Sequence, residues 1–181
     1  MIRHLLAATL LTALVPTASQ AVEVVESPMY KSWSKAKPGT AVTVKSVTVM
    51  NGQRIESTLR YTLVDLSPQR ALVEMVVTNK GVASAPQKLE HRRDFPLLPG
   101  VKKEDIGKPP GASEQGREAI TIAGKKYACQ WYDIKARVEA GESIARTWMT
   151  PDVPGMLLKS VIKVPAADKV TTLEVIEIKT P

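Results

Sequence analysis

From Thr40 to Lys179 the chain is a succession of short runs in which apolar and polar residues alternate, separated by turn signals too closely spaced to admit crossover helices. Alternation with a period of two places one side-chain set on each face of a strand, and strands joined without crossovers pair antiparallel. Arg54–Leu66 is the clearest run: Ile55, Leu59, Tyr61 and Leu63 share one face, and Arg54, Glu56, Thr58, Arg60 and Thr62 share the other. The dipeptide Asn51-Gly52 just before it is the strongest short hairpin signal. The preceding valines, Val42, Val44, Val47 and Val49, change parity around Lys45-Ser46, which predicts a bulge there. Further runs at Arg70–Asn79, Gln87–Phe95, Glu118–Ile122, Lys125–Val138, Ile144–Thr150, Met156–Val164 and Val170–Lys179 bring the expectation to about nine strands.

A single helix is expected. Ser27-Pro28 is a good N-cap and first-turn pair, and Lys37-Pro38-Gly39 stops the run, giving a short N-terminal helix over Pro28–Lys35. Met29, Tyr30 and Trp33 form its apolar face. An antiparallel meander with one apolar face must cover that face. The expected fold is therefore mainly β, a curved antiparallel meander forming a half-barrel or open barrel around the helix. Residues 96–117, rich in Pro, Gly and charge, read as one long loop.

The N-terminus reads as an export signal. Met1-Ile2-Arg3-His4 is a basic start, Leu5–Val15 an apolar run, and Ser19-Gln20-Ala21 a small-residue cleavage site, so residues 1–21 are expected to be a signal peptide and 22–181 a single β-rich domain. The eleven-residue run rises about 16 Å as a helix, roughly half a bilayer core. The only cysteine, Cys129, lies far from the cleavage site and cannot carry a lipid there. The expectation is a soluble exported protein, periplasmic or extracellular, with no stable membrane span after cleavage.

Composition narrows the chemistry. One cysteine forms no internal disulfide and no cysteine-built zinc site. Loss of residues 1–21 removes Arg3 and His4, leaving 24 basic against 18 acidic residues and His91 as the one histidine. The basic residues are scattered among acids without an aromatic platform, so nucleic acid is not an expected partner. There is no glycine-rich phosphate loop and no common zinc or calcium spacing, so neither cofactor nor metal is expected.

Five residues are candidates for ligand binding: His91, Arg93, Tyr127, Trp131 and Trp148. In Leu89–Phe95 the alternation places Leu89, His91, Arg93 and Phe95 together, turning an imidazole and a guanidinium inward. They would anchor an anionic headgroup in an apolar pocket, or form a hydrogen-bonded structural pair. Tyr127, Trp131 and Trp148 would line the pocket or fill the core. Cys129, mid-strand among aromatics, reads as a small buried hydrophobe. No nucleophile, base and orienting acid can be assembled, so no catalytic residue is expected and the chain is not read as an enzyme.

Three segments carry a resemblance. They are Tyr30-Lys31-Ser32-Trp33 with Lys37-Pro38-Gly39-Thr40, Gly124-Lys125-Lys126 leading to Cys129 and Trp131, and the run Trp148-Met149-Thr150-Pro151-Asp152-Val153-Pro154-Gly155-Met156-Leu157-Leu158-Lys159. Together they look like a group of small bacterial secreted β-rich proteins of uncharacterised function. The Trp-x-x-x-Asp-x-Val-Pro-Gly element and its meander also resemble, more distantly, lipoprotein-carrier (LolA/LolB-like) proteins. That resemblance implies a curved antiparallel sheet around a helical lid and a hydrophobic ligand. The expected function is an exported, non-enzymatic protein binding an apolar or amphipathic, lipid-like ligand or an envelope protein in the concave face of the sheet. The alternative is a structural or protein-interaction module of the envelope acting through residues 96–117. A hydrolase using His91 or surface carboxylates ranks third.

Overall fold

The turn at Asn51-Gly52 sets the register of the whole sheet. Both residues have positive φ, 50° and 73°, which matches the right-handed twist of the flanking strands. In the computed structural model, which describes residues 23–97 and 100–181, this turn joins β2 (Ala41–Met50) to β3 (Gln53–Leu66). The expected signal peptide lies outside the described residues.

The chain continues through β4 (Arg70–Asn79), β5 (Val82–Ala83), β6 (Gln87–Arg92) and β7 (Asp94–Pro96). It then forms β8 (Ala112–Ile122), β9 (Lys125–Val138), β10 (Gly141–Met149), β11 (Leu157–Val164) and β12 (Lys169–Lys179). One antiparallel sheet takes the order β5-β4-β3-β2-β12-β11-β10-β9-β8, with β6 also paired to β4. The last strand closes against the first long one, β12 on β2, so the two hairpin series share one sheet. Its two outer edges do not pair with each other, and the sheet stays open. A short strand β1 (Val24–Glu26) pairs with β7 apart from it.

Helix α1 spans Pro28–Trp33, ending two residues before the expected boundary. Ser27 caps it, its Oγ accepting from the Tyr30 amide at 3.4 Å. The helix is tied to two separate turns. The Tyr30 hydroxyl donates to the Ser67 carbonyl at 3.0 Å, and the Gly155 amide donates to Ser32 Oγ at 3.1 Å. These bonds hold Trp33, 2% exposed, against the face formed by Val42, Val44, Leu63 and Val73. We call the face covered by α1 the inner face.

Two expectations need correction. No bulge occurs at Lys45-Ser46; β2 pairs without interruption along β3. Val47 and Val49 simply take the outer face, while Ser46 and Thr48 take the inner one. The register shifts lie instead at Leu63/Asp65, Ala112/Glu114, Trp148/Met149 and Val175/Glu177. The long loop is also shorter than 96–117, because β8 begins at Ala112 and pairs Gly116 opposite Trp131. Gly116 reads as a chain breaker but serves packing: a Cβ there would lie 2.6 Å from the Trp131 indole. The nine expected strands are all present, as β2, β3, β4, β6, β8, β9, β10, β11 and β12; the run Gln87–Phe95 divides at Arg93 into β6 and β7, and β1 and β5 are two further short strands.

Candidate functional site

Strand register distributes charge unequally between the two faces. In β2, β3, β4, β6, β10, β11 and β12, every charged residue except Lys169 takes an outer position. Outer pairs include Lys159–Glu174 at 2.8 Å, and Lys45–Glu56 at 3.0 Å. The inner face is left mainly to apolar and hydroxyl side chains, with His91, Gln53, Asn79 and Gln87 as its other polar groups in these strands. Near α1 it carries Val44, Leu59 and Val175, and beyond them Ser46, Ser57 and Ser160.

Three cavities adjoin along the α1 end of this face. A cavity of about 230 Å³ lies under the helix, walled by Met29, Trp33, Val42, Tyr61, His91 and Leu157 among others. A second of about 650 Å³ lies between Pro28, Met29 and the segment from Val101 to Ala112. A third of about 520 Å³ lies where β8 and β9 leave β10, and includes Arg117, Cys129 and Tyr132. Met29 is common to the first two, and Gly107, Met149 and Met156 to the last two. Thioether side chains are flexible and polarizable, so walls built from them adapt to ligands of irregular shape. The separating walls are thus the most deformable apolar residues available.

The five candidate residues do not form one site. His91 takes an inner position opposite Ala71 and lines the smallest cavity. Burial pushes its pKa below the ordinary histidine value, because the apolar surroundings disfavour the charged imidazolium. Arg93 does not join it. Strand β6 ends at Arg92, and Arg93 is exposed, its Nε 3.6 Å from a Glu26 carboxylate oxygen. The backbone of Arg93 instead accepts the Ser27 amide at 2.7 Å and donates to Gln69 at 2.8 Å, which draws it out of alternation.

Trp131 and Trp148 face each other across β9 and β10 in register with the outer residue Lys159, and Trp148 packs against the core cluster. The Trp131 indole packs between Gly116 and the Arg146 guanidinium, whose carbon lies 4.3 Å from the ring centroid. Arg146 is in turn held by both Asp133 carboxylate oxygens at 2.6 Å. That pair lowers the Asp133 pKa and fixes the cation over the ring. The Trp148 Nε1 donates to the Glu118 carboxylate. Tyr127 is 8% exposed and belongs to the core cluster with Cys129 and Ile122. Cys129 is a free, buried thiol whose Sγ contacts the Glu118 carbonyl at 3.3 Å, and burial raises its pKa. It is packing, as its neighbours in sequence indicated.

The residues that sequence reasoning did not assign to a site are Met149, Met156, Tyr61 and Gly107. Their only sequence-level hint is compositional, six methionines against one phenylalanine. Among the described residues, no cluster of three metal-ligating side chains occurs, and no helix is long and apolar enough to cross a membrane.

No protein family matches the chain by sequence, and no curated protein does so. Solved structures do match by backbone path. A Bacteroides fragilis protein named as exported, with a YmcC-like fold, superposes with a TM-score of 0.54 at 9% identity, covering 80% of this chain and 97% of its own. A Parabacteroides distasonis protein named as a lipoprotein gives a TM-score of 0.51 at 13% identity, covering 79% and 96%. An outer-membrane lipoprotein-sorting domain from Vibrio parahaemolyticus overlaps at a TM-score of only 0.31 and 8% identity, over 84% of this chain and 90% of its own, and carries no weight. At these identities the likeness is one of fold alone, shared with a protein named as exported and a protein named as a lipoprotein.

Proposed function

We propose that this chain is an exported, non-enzymatic envelope protein that holds an apolar or amphipathic, lipid-like ligand against the inner face of its sheet. The observation that carries this reading is the row of three adjoining cavities whose shared walls are Met29, Met149, Met156 and Gly107. Concave, mostly apolar sites with a few polar groups are the usual form of small-ligand sites. The His91 cavity is lined by apolar and aromatic residues and brings no carboxylate or nucleophile to the imidazole, which supports binding over hydrolysis. The segment from Val101 to Ala112 lines the largest cavity, which supports a covering role for it over a separate protein-docking role. The export half of the proposal rests on residues 1–21 and accords with the fold likeness.

Uptake of the apolar fluorophore N-phenylnaphthylamine tests the reading. Saturable enhancement is expected, and Met149→Glu with Met156→Glu should remove most of it while the far-ultraviolet dichroism stays that of the wild type. No enhancement by the wild-type protein would overturn the ligand-binding proposal.

A further inference from the structure

The inner face continues past the cavities, and its chemistry changes in one step. Leu59, Val44 and Val175 form the cross-strand row next to the cavity walls. Two residues farther from α1, about 7 Å along the strands, the row reads Ser57, Ser46, Leu173, Ser160 and Thr147 across β3, β2, β12, β11 and β10. Thr147 and Ser160 hydroxyls lie 2.8 Å apart. In the next row, Thr48 and Thr171 hydroxyls lie 2.9 Å apart. A serine or threonine hydroxyl bonded to one neighbour retains further acceptor capacity. An apolar recess thus opens onto a band of hydroxyl groups.

No charge lies within that band. Lys169, opposite Met50 and Val164 and one row beyond Thr48 and Thr171, is the one charged residue at an inner position in those strands. Arg117, on the edge strand β8, takes an inner position opposite Gln130 and lines the cavity at that edge. An anionic headgroup laid along the Ser57–Ser46 row would lie two rows from Lys169, and desolvating it there without a partner is unfavourable. A hydroxyl- or ester-bearing headgroup would exchange water for hydroxyl partners at little cost.

We infer that the ligand of this face is an uncharged amphiphile of the acylglycerol type, its acyl part in the recess and its hydroxyl and ester groups on the half-buried Ser57–Ser46–Thr48–Thr171 band. This rests on the proposed lipid-like ligand and adds the chemistry of its polar end.

The test titrates lipid-stripped exported chain with 1-monooleoylglycerol and with 1-oleoyl lysophosphatidate, which share one acyl chain, below their micellar concentrations. N-phenylnaphthylamine is titrated in parallel. Monooleoylglycerol should bind at least about tenfold more tightly than the lysophosphatidate, as a site matched to hydroxyl partners discriminates. Thr48→Val with Thr171→Val should weaken monooleoylglycerol severalfold and leave the fluorophore affinity unchanged. Equal or tighter lysophosphatidate binding, particularly if Lys169→Gln or Arg117→Gln removes it, overturns the inference while leaving the lipid-binding proposal standing. An unaltered monooleoylglycerol affinity in the valine variant also overturns it. Failure of all three probes to bind overturns both readings.

Discussion

Trp131 lies flat on the backbone of Gly116, so close that a Cβ on residue 116 would come within 2.6 Å of the indole, with Arg146 stacked 4.3 Å from the ring centroid. A glycine on an edge strand loses the packing of a side chain, and here the neighbouring strand's indole replaces it. Gly116→Ala should therefore destabilise the protein by about 1–3 kcal/mol through overpacking. Urea unfolding checks this. Adding Trp131→Leu should make the alanine nearly neutral, because the clashing ring is gone.

Acid should weaken the fold through its outer-face ion pairs. Arg146 lowers the pKa of Asp133; Lys45 and Arg54 lower that of Glu56; Arg92 and Arg70 lower that of Glu90. A carboxylate depressed in the folded state contributes stability above its unfolded pKa, about 4, and loses it as pH falls through the folded value. Denaturation midpoints should decline below about pH 4. Asp133→Asn should lower stability at pH 7 and make the acid decline shallower.

His91 titrates in the opposite direction from a partnered histidine. Its pKa is lowered by burial alone, so the folded state favours the neutral ring. The unfolded chain takes up the proton first, below about pH 6.5, and the stability contribution of neutral His91 is lost as pH falls from there through the folded value. His91 is the one histidine of residues 22–181, so a single imidazole proton resonance reads the effect directly. Its midpoint should lie below 6.5 and fall further when a ligand fills the cavity. A midpoint above 6.5 would contradict the buried, unpartnered placement.

Leu158 and Val153 are fully buried at the junction of β11 with the turn that hydrogen-bonds α1. Leu158→Ala should cost about 2–5 kcal/mol in chemical denaturation. Ser32→Ala removes the acceptor of the Gly155 amide and should cost about 1–3 kcal/mol. That change should also raise hydrogen exchange selectively at Gly155.

Much of the fold was legible because a strand's alternation is local. The Asn51-Gly52 turn, the Ser27-Pro28 helix start and the inward phase of Leu59, Tyr61 and Leu63 each depend on neighbouring residues only. The phase of Trp131 and Trp148 was not legible. It depends on register carried strand by strand from α1 through β2, β12 and β11 to β10. The position of Arg93 depends on a backbone bond to Ser27, far away in the chain. The site methionines were missed for a related reason. Met29 is distant in sequence from Met149 and Met156, and only the return of the chain places them around adjoining cavities. A shift of parity among valines has two explanations, a bulge or a polar inner row, and here the second holds.

Native mass spectrometry of the protein recovered from its own cell envelope tests the central proposal most directly. The predicted spectrum shows the chain cleaved after Ala21 carrying a bound small molecule that organic extraction removes and that collisional activation releases as a neutral species. A spectrum containing the bare polypeptide alone, from a preparation that also fails to take up N-phenylnaphthylamine, would contradict it.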